Sequence, residues 1–205
     1  MTDPFETMYS AHKPEELEIW QNSTVGIAGA GGLGSNIAIA LTRAGIGKII
    51  VADFDVVNPS NLNRQQYYSD QIGMLKVLAL QINIARIGAN TELVIHPIRI
   101  VPENVSVVFR EAQIMIEAFD SAEQKQMLLE TWIKTNPDKP YIGASGLAGI
   151  GGNELITTES FGNVHIIGDG SSELCPPFSP LAPRVAVVAN MQANLCLELL
   201  LKRNL

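Results

Sequence analysis

The feature that most constrains this chain is the run Gly29-Ala-Gly31-Gly32-Leu-Gly34, set where a short apolar segment, Thr24 to Gly29, gives way to helical periodicity. Glycines at this spacing permit a tight strand-to-helix turn and let phosphate oxygens approach backbone N–H groups at a helix N-terminus. Leu33, Ile37 and Leu41 follow at four-residue spacing, with Ala38, Ala40 and Ala44 beside them, the pattern of a helix that packs closely on a sheet. A second apolar run, Lys48 to Asp53, ends in an acid 19 residues after Gly34, where a nucleotide ribose would lie. Such a turn also occurs for packing alone. Strand, glycines, helix and acid together favour a bound nucleotide without saying which.

The rest of the chain continues the alternation. Residues 55–68 are rich in Asn and irregular, and helical periodicity returns from Leu75 to Ile87. Glu92 to Pro97 reads as a third strand, Glu103 to Arg110 as a helix, and Ala112 to Ala118 as a fourth strand. Ser121 is placed to cap a helix with the apolar stripe Leu128, Leu129 and Trp132. Lys139 to Ala144 is a fifth strand. Beyond it come a glycine-rich stretch, an antiparallel pair over Asn153 to Thr158 and Asn163 to Ile167, and a crossover loop at about 168–183. Val185 to Arg203 closes the chain as an amphipathic helix. This order predicts an α/β fold: a Rossmann-like, mainly parallel sheet with helices on both faces, extended by antiparallel strands near the C-terminus. Residues 1–205 are expected to form one domain.

Composition removes several functions. A net charge of −7, with only 14 Lys and Arg, argues against a nucleic-acid surface. The first twenty residues lack both a basic start and an apolar run, so no secretory signal is expected. Val185 to Leu201 is interrupted by Asn190, Gln192, Asn194 and Glu198, whereas a membrane helix needs about 20 nearly unbroken apolar residues. No membrane partner is expected, and a cytoplasmic location is. Cys175 and Cys196 form neither a disulfide framework nor a zinc-binding CxxC pair. His12, His96 and His165 show no metal spacing, and Ser145 lacks the spacing of a nucleophile elbow.

Arg64, in the segment Ser60-Asn61-Leu-Asn-Arg-Gln65, and Lys76, twelve residues later, narrow the nucleotide. Nicotinamide chemistry has no use for cations there, but a triphosphate does, to offset charge on a departing pyrophosphate. Singly, each residue is more often plain surface. Together with Asp53-Phe-Asp55, Ile72-Gly-x-x-Lys76, Phe119-Asp120, Cys175, Leu181-Ala-Pro183 and Met191-Gln-Ala193, the string resembles the ThiF/MoeB/HesA family, bacterial relatives of ubiquitin-activating enzymes. The likeness runs from about residue 15 to 203 and is nearest to a short, zinc-free ThiF of thiamine thiazole synthesis.

The resemblance implies an adenylyltransferase that uses ATP and Mg2+. Its substrate would be the C-terminal Gly-Gly carboxylate of a small ubiquitin-like sulfur carrier, converted to an acyl-adenylate. Carried over by position, Gly29, Gly31, Gly32 and Gly34 shape the phosphate turn, and Asp53 holds the ribose. Asn61, Arg64 and Lys76 contact phosphates, and Asp120 holds magnesium. Cys175 is either a nucleophile toward the activated tail or an incidental loop cysteine. A homodimer and a sulfur-donor protein are also implied. The sequence departs from the family in lacking the two zinc-binding CxxC pairs and the N-terminal Arg-Tyr-x-Arg-Gln segment, since residues 1–14 offer only His12 and Lys13 as basic side chains. Alternatives are a molybdopterin-type carrier, a tRNA nucleoside carboxylate, an NAD-binding module, or a degenerate, non-catalytic partner.

Overall fold

The computed structural model describes residues 8–172 and 179–203. Helix α1 (Pro14–Gln21) leads into β1 (Thr24–Ala28), α2 (Gly32–Ala44), β2 (Lys48–Ala52), α3 (Lys76–Ala85) and β3 (Glu92–His96). Then come α4 (Pro102–Val108), β4 (Ile114–Glu117), α5 (Ala122–Thr135), β5 (Tyr141–Ala144), β6 (Thr157–Phe161), β7 (Val164–Gly168) and α6 (Ala182–Arg203). The strands form one sheet in the order β3-β2-β1-β4-β5-β7-β6. Every neighbouring pair is parallel except β6 and β7, which run antiparallel at the edge. The chain thus winds outward from β1 in one direction and restarts on its other side with β4. In open α/β sheets, the crevice at this reversal is where ligands bind.

Period-2 alternation along the strands builds two cores. Val25, Ile27, Ile49, Val51, Ile114 and Ile116 pack into one with α2, α3 and α6. Ala28, Ile50, Ala52, Met115 and Tyr141 pack into the other with α4 and α5, which contribute Val105, Leu128 and Trp132. Both faces of the central strands are therefore covered, which is why these strands read as continuous apolar runs. Helix α2 stops at Gly45, whose φ of 94° lets Ile46 N–H reach back to the Leu41 carbonyl at 3.1 Å, the Schellman closure.

The fold class, a mainly parallel sheet with antiparallel strands toward the C-terminus, agrees with the sequence reading, and several boundaries do not. Trp20, at a helical position in the sequence and expected to pack, lies in α1, joins the first core and donates to the Leu197 carbonyl; the helix's bounds were not read. Residues 153–155 form a 3-10 turn, so the antiparallel strand begins at Thr157, after the glycine-rich stretch has turned. The fourth strand ends at Glu117, leaving Phe119 and Asp120 in the turn beyond it. Ser121 stands at the N-cap of α5 but makes no side-chain capping bond.

Helix α6 is long and apolar enough to meet the simple criteria for a membrane span, with mean hydropathy 1.3. Its Val185, Val188, Ala189, Ala193, Cys196 and Leu200 are instead buried in the first core. At its start, Arg184 bonds to Asp169 and to the Gly151 carbonyl, and Asp169 also accepts from Ser171 N–H and Ser172 N–H. This buried pair joins the loops on either side of the β6–β7 hairpin to α6. Burial raises the Asp169 pKa, but the Ser172 and Ser171 bonds and Arg184 outweigh it, and the net shift is downward.

His165 on β7 is buried, and its Nδ1 lies 2.8 Å from the Ser160 hydroxyl. Burial, with a smaller push from Lys202, holds its imidazole below the usual value of 6.5, against an opposing pull from Glu198. The unfolded chain therefore takes up a proton that the native chain resists, so this contribution is present above pH 6.5 and lost as pH falls through the native value. Urea midpoints measured from about pH 7.5 to about pH 5.5 are expected to fall further for the native chain than for His165→Gln. Parallel curves would remove His165 as a source of acid sensitivity.

Candidate functional site

A cavity of about 640 Å³ opens at the reversal between β1 and β4. The glycine run forms its floor, and the four glycines have different reasons for being there. Gly29 has φ of 102°, and a Cβ on it would lie 2.7 Å from the Ala118 carbonyl oxygen. A Cβ on Gly34 would lie 1.9 Å from the Gly29 carbonyl oxygen, so α2 sits directly on the end of β1. On Gly32 it would meet Val185 Cγ1 at 3.2 Å. At Gly31, by contrast, the nearest atom is Gln65 Nε2 at 3.8 Å, and nothing in the fold itself demands glycine there. Gly31 is the N-cap of α2 and has no side chain to satisfy the first N–H groups of the helix. Those donors, with the positive end of the helix dipole, favour an anion.

Asp53 follows β2 and organises the opposite wall. Its Oδ2 accepts from Ala30 N–H at 2.7 Å and its Oδ1 from Asp55 N–H at 2.8 Å. The carboxylate therefore locks the glycine turn to the next loop and keeps lone pairs for a ribose hydroxyl. Tyr67 braces the same turn by donating to the Ala30 carbonyl at 2.6 Å. Burial, aided by the charges of Asp53 and Asp55, raises its phenol pKa, so it remains a donor.

The cations arrive from two directions. Lys76 begins α3, is buried, and pairs with Asp55 Oδ2 at 2.7 Å, while its N–H bonds to the Asp55 carbonyl. Arg64 lies over Gly32, its Nη1 held by Asn63 Oδ1 at 2.8 Å and by the Ser60 carbonyl. Across the cavity, the turn after β4 presents Phe119, Asp120 and Ser121. Among the described residues the Asp120 carboxylate has no hydrogen-bond or ion-pair partner, which fits a hard cation shared with phosphate oxygens. No cluster of three or more His, Cys, Asp and Glu side chains suited to a metal is found among the described residues. Phe54, Ile98 and Ile100 make an apolar wall, with the Arg99 guanidinium 4.2 Å from the Phe54 ring centre.

The structure thus gathers Gly29, Gly31, Gly32, Asp53, Arg64, Lys76 and Asp120 around one cavity. Gly34 supports it from below. Asn61 does not line it: its Oδ1 accepts from Asn58 N–H at 2.9 Å and closes the 3-10 turn that carries Arg64. Cys175 lies outside the described residues. A family model described as the ThiF family matches residues 6–205.

The chain belongs to the ThiF family. Among curated proteins it is 29% identical over 167 residues to the adenylyltransferase and sulfurtransferase UBA4 of Candida glabrata, covering 81% of this chain and 36% of that protein. It is 29% identical over 126 residues to the probable adenylyltransferase/sulfurtransferase MoeZ of Mycobacterium tuberculosis, covering 61% and 32%. The chain therefore spans about a third of the length of these curated relatives. Among solved structures, E. coli tRNA N6-threonylcarbamoyladenosine dehydratase, TcdA, in complex with ATP, superposes with a TM-score of 0.86 at 21% identity, over 98% of this chain and 94% of that one. E. coli MccB with ATP gives 0.70 at 20% identity, over 90% and 58%. These last two likenesses bear on the fold.

Sequence reasoning passed over Asp55, Tyr67 and Glu117 in this ThiF-family site. Asp55 was visible as the second acid of Asp-Phe-Asp, but its pairing with Lys76 depends on the bridge between Val56 and Leu75 that folds the loop back. The glycines supply a direct test. Gly34→Ala is expected to destabilise the chain by roughly 3 kcal/mol or more, because two backbones must separate. Gly31→Ala is expected to cost less than about 1 kcal/mol in stability while weakening nucleotide binding. Denaturation and nucleotide titration of both variants check this, and equal stability losses would contradict it.

Proposed function

We propose that this ThiF-family chain is an ATP-dependent adenylyltransferase that activates the C-terminal carboxylate of a small, ubiquitin-like sulfur carrier. The observation that carries this reading is the convergence of Arg64, Lys76 and Asp120 on a cavity floored by the glycine turn at the N-terminus of α2. The adenosine would lie between Asp53 and the Phe54–Ile98–Ile100 wall, with its phosphates over the turn. Asp120 would hold magnesium, which supplies charge neutralisation on the phosphates when bound.

Both reactants are anions, so their approach requires positive charge at fixed positions. Arg64 and the α2 amides would orient the α-phosphate. The tail carboxylate oxygen attacks the α-phosphorus, the bond to the bridging oxygen breaks, and pyrophosphate leaves with its new charge against Lys76. Lys76 starts from its pair with Asp55, so it is already in place and buried before the phosphates arrive.

A protein substrate is supported by exposed apolar side chains. Ile150, Leu155 and Leu181, at 87%, 60% and 37%, lie on the loops that supply Leu147 and Pro180 to the cavity lining, and these loops are tied together by Gly149 N–H to the Ser179 carbonyl. With a net charge of −7, this chain suits an apolar protein surface better than a phosphate backbone. The curated relatives' names speak for sulfur transfer in general; thiazole formation for thiamine is the narrower reading and rests on motif resemblance alone. The fold of TcdA supports a second reading, a carboxylate on a tRNA nucleoside. A cytoplasmic homodimer, assisted by a sulfur donor and with Cys175 joining the carrier covalently, completes the proposal.

ATP–pyrophosphate exchange tests it. Exchange is expected to require MgATP and a carrier with an intact Gly-Gly tail. It should fall about 100-fold or more, roughly 2.7 kcal/mol, in Lys76→Ala and in Asp120→Asn. Exchange driven by tRNA and not by the carrier would move the activity to the second reading; NAD binding without ATP binding would overturn both. Separately, Cys175→Ser is expected to retain exchange and lose the carrier adduct in a gel assay.

A further inference from the structure

Glu117 ends β4 with a side chain only 1% exposed, directly beneath the turn that presents Asp120. A carboxylate at that depth is costly unless its oxygens are fully engaged, and here they are. Lys125, from the second turn of α5, places its ammonium 2.9 Å from each oxygen. Oε1 also accepts from Phe119 N–H at 2.5 Å, and Oε2 from Ala144 N–H at 3.4 Å. Lys125 donates in addition to the Ala144 carbonyl at 3.1 Å. Gln192 of α6 donates to the Glu117 carbonyl at 3.1 Å and to that of Ile142 at 3.4 Å.

One ion pair with a buried carboxylate and a half-buried ammonium thereby joins the ends of β4 and β5 to α5, and Gln192 adds α6. Residues 118–121 make no strand of their own. Their path is set by the bond from Glu117 to Phe119 N–H and by Ala118 N–H on the Ala28 carbonyl at 2.8 Å. Asp120 is the next residue. Its free carboxylate therefore inherits its position from Glu117, and the ammonium of Lys125 neutralises Glu117 so that no second negative charge stands below Asp120.

We propose that Glu117, held by Lys125, is a positioning residue of the adenylylation site: it fixes the Phe119–Ser121 turn so that Asp120 meets the metal–phosphate unit in the reacting geometry. The inference rests on the function proposed above. A shape-filling role alone would be met by glutamine, which can still accept from Phe119 N–H. A positioning role that relies on the paired charge is not, because glutamine leaves the half-buried Lys125 ammonium without its counter-charge and lets the turn shift.

The test compares the full chain with Glu117→Gln and Lys125→Arg, using carrier-dependent pyrophosphate exchange at varied ATP and magnesium, and calorimetric titration of ATP with and without magnesium. Glu117→Gln is expected to bind metal-free ATP within about 3-fold of the native chain and to lose at least about 10-fold in the affinity gained on adding magnesium. In the exchange assay its KM for MgATP is expected to rise with that lost affinity, about 10-fold, and its kcat to fall about 30-fold or more besides, the part of the loss that belongs to the transition state. Lys125→Arg keeps the charge and is expected to retain most activity. If Glu117→Gln lowers Tm but leaves the magnesium increment and kcat unchanged, Glu117 is structural only and the proposal fails. If it does not fold, Lys125→Arg and Lys125→Met decide: the proposal requires the magnesium increment to survive in the first and to shrink in the second, and equal increments overturn it. Absence of exchange in the native chain would sink the adenylyltransferase reading itself, an outcome distinct from any of these.

Discussion

The whole arrangement depends on one backbone contact, that of Gly34 in α2 against the carbonyl of Gly29 at the end of β1. It brings the N-terminus of the helix to the mouth of the sheet and sets how close α2 lies to β1. From that closeness follow the fit of Val185 against Gly32 and the seat of α6 on α2. The same contact aims the first N–H groups of α2 into the crevice opened by the reversal between β1 and β4. A side chain at either glycine would push helix and strand apart, and with them every wall of the cavity.

Around that contact, charge is arranged in short relays. Asp53 joins the glycine turn to Asp55, Asp55 holds Lys76, and Glu117 holds both Lys125 and the turn that bears Asp120. In each relay a carboxylate is engaged by fixed donors, so its neighbour is oriented. The cavity therefore keeps its polar groups in place before any ligand enters, the condition under which electrostatic stabilisation of a reacting phosphate costs least.

What was legible in the sequence was what repeats with a period or falls at fixed spacing. The strand–glycine–helix unit, Asp53, Arg64, Lys76 and the parallel order of the sheet all belong to this class. Asn61 falls outside the cavity lining for an instructive reason: asparagine in a turn bonds nearby backbone as readily as a ligand, and here it closes onto Asn58. Glu117 was hidden because an acid at the end of an apolar strand looks like a solvated terminus. Its engagement comes from β5, α5 and α6 together, and two of these, β5 and α6, are remote in the chain. Trp20 read as a helical, packed position, but the bounds of α1 escaped because its eight residues carry one buried side chain, too little for a periodic signal.

The seat of α6 has a consequence for how the molecule is made. The face of β1, β4 and β5 that carries Ile27, Ile116 and Ile142 is covered by Val185, Val188 and Ala189, which leave the ribosome long after the strands do. Until then an apolar face flanking the nucleotide crevice stands bare. A nascent chain of this design has its ligand-binding half synthesised early but sealed late, and its most aggregation-prone interval is the delay between the two.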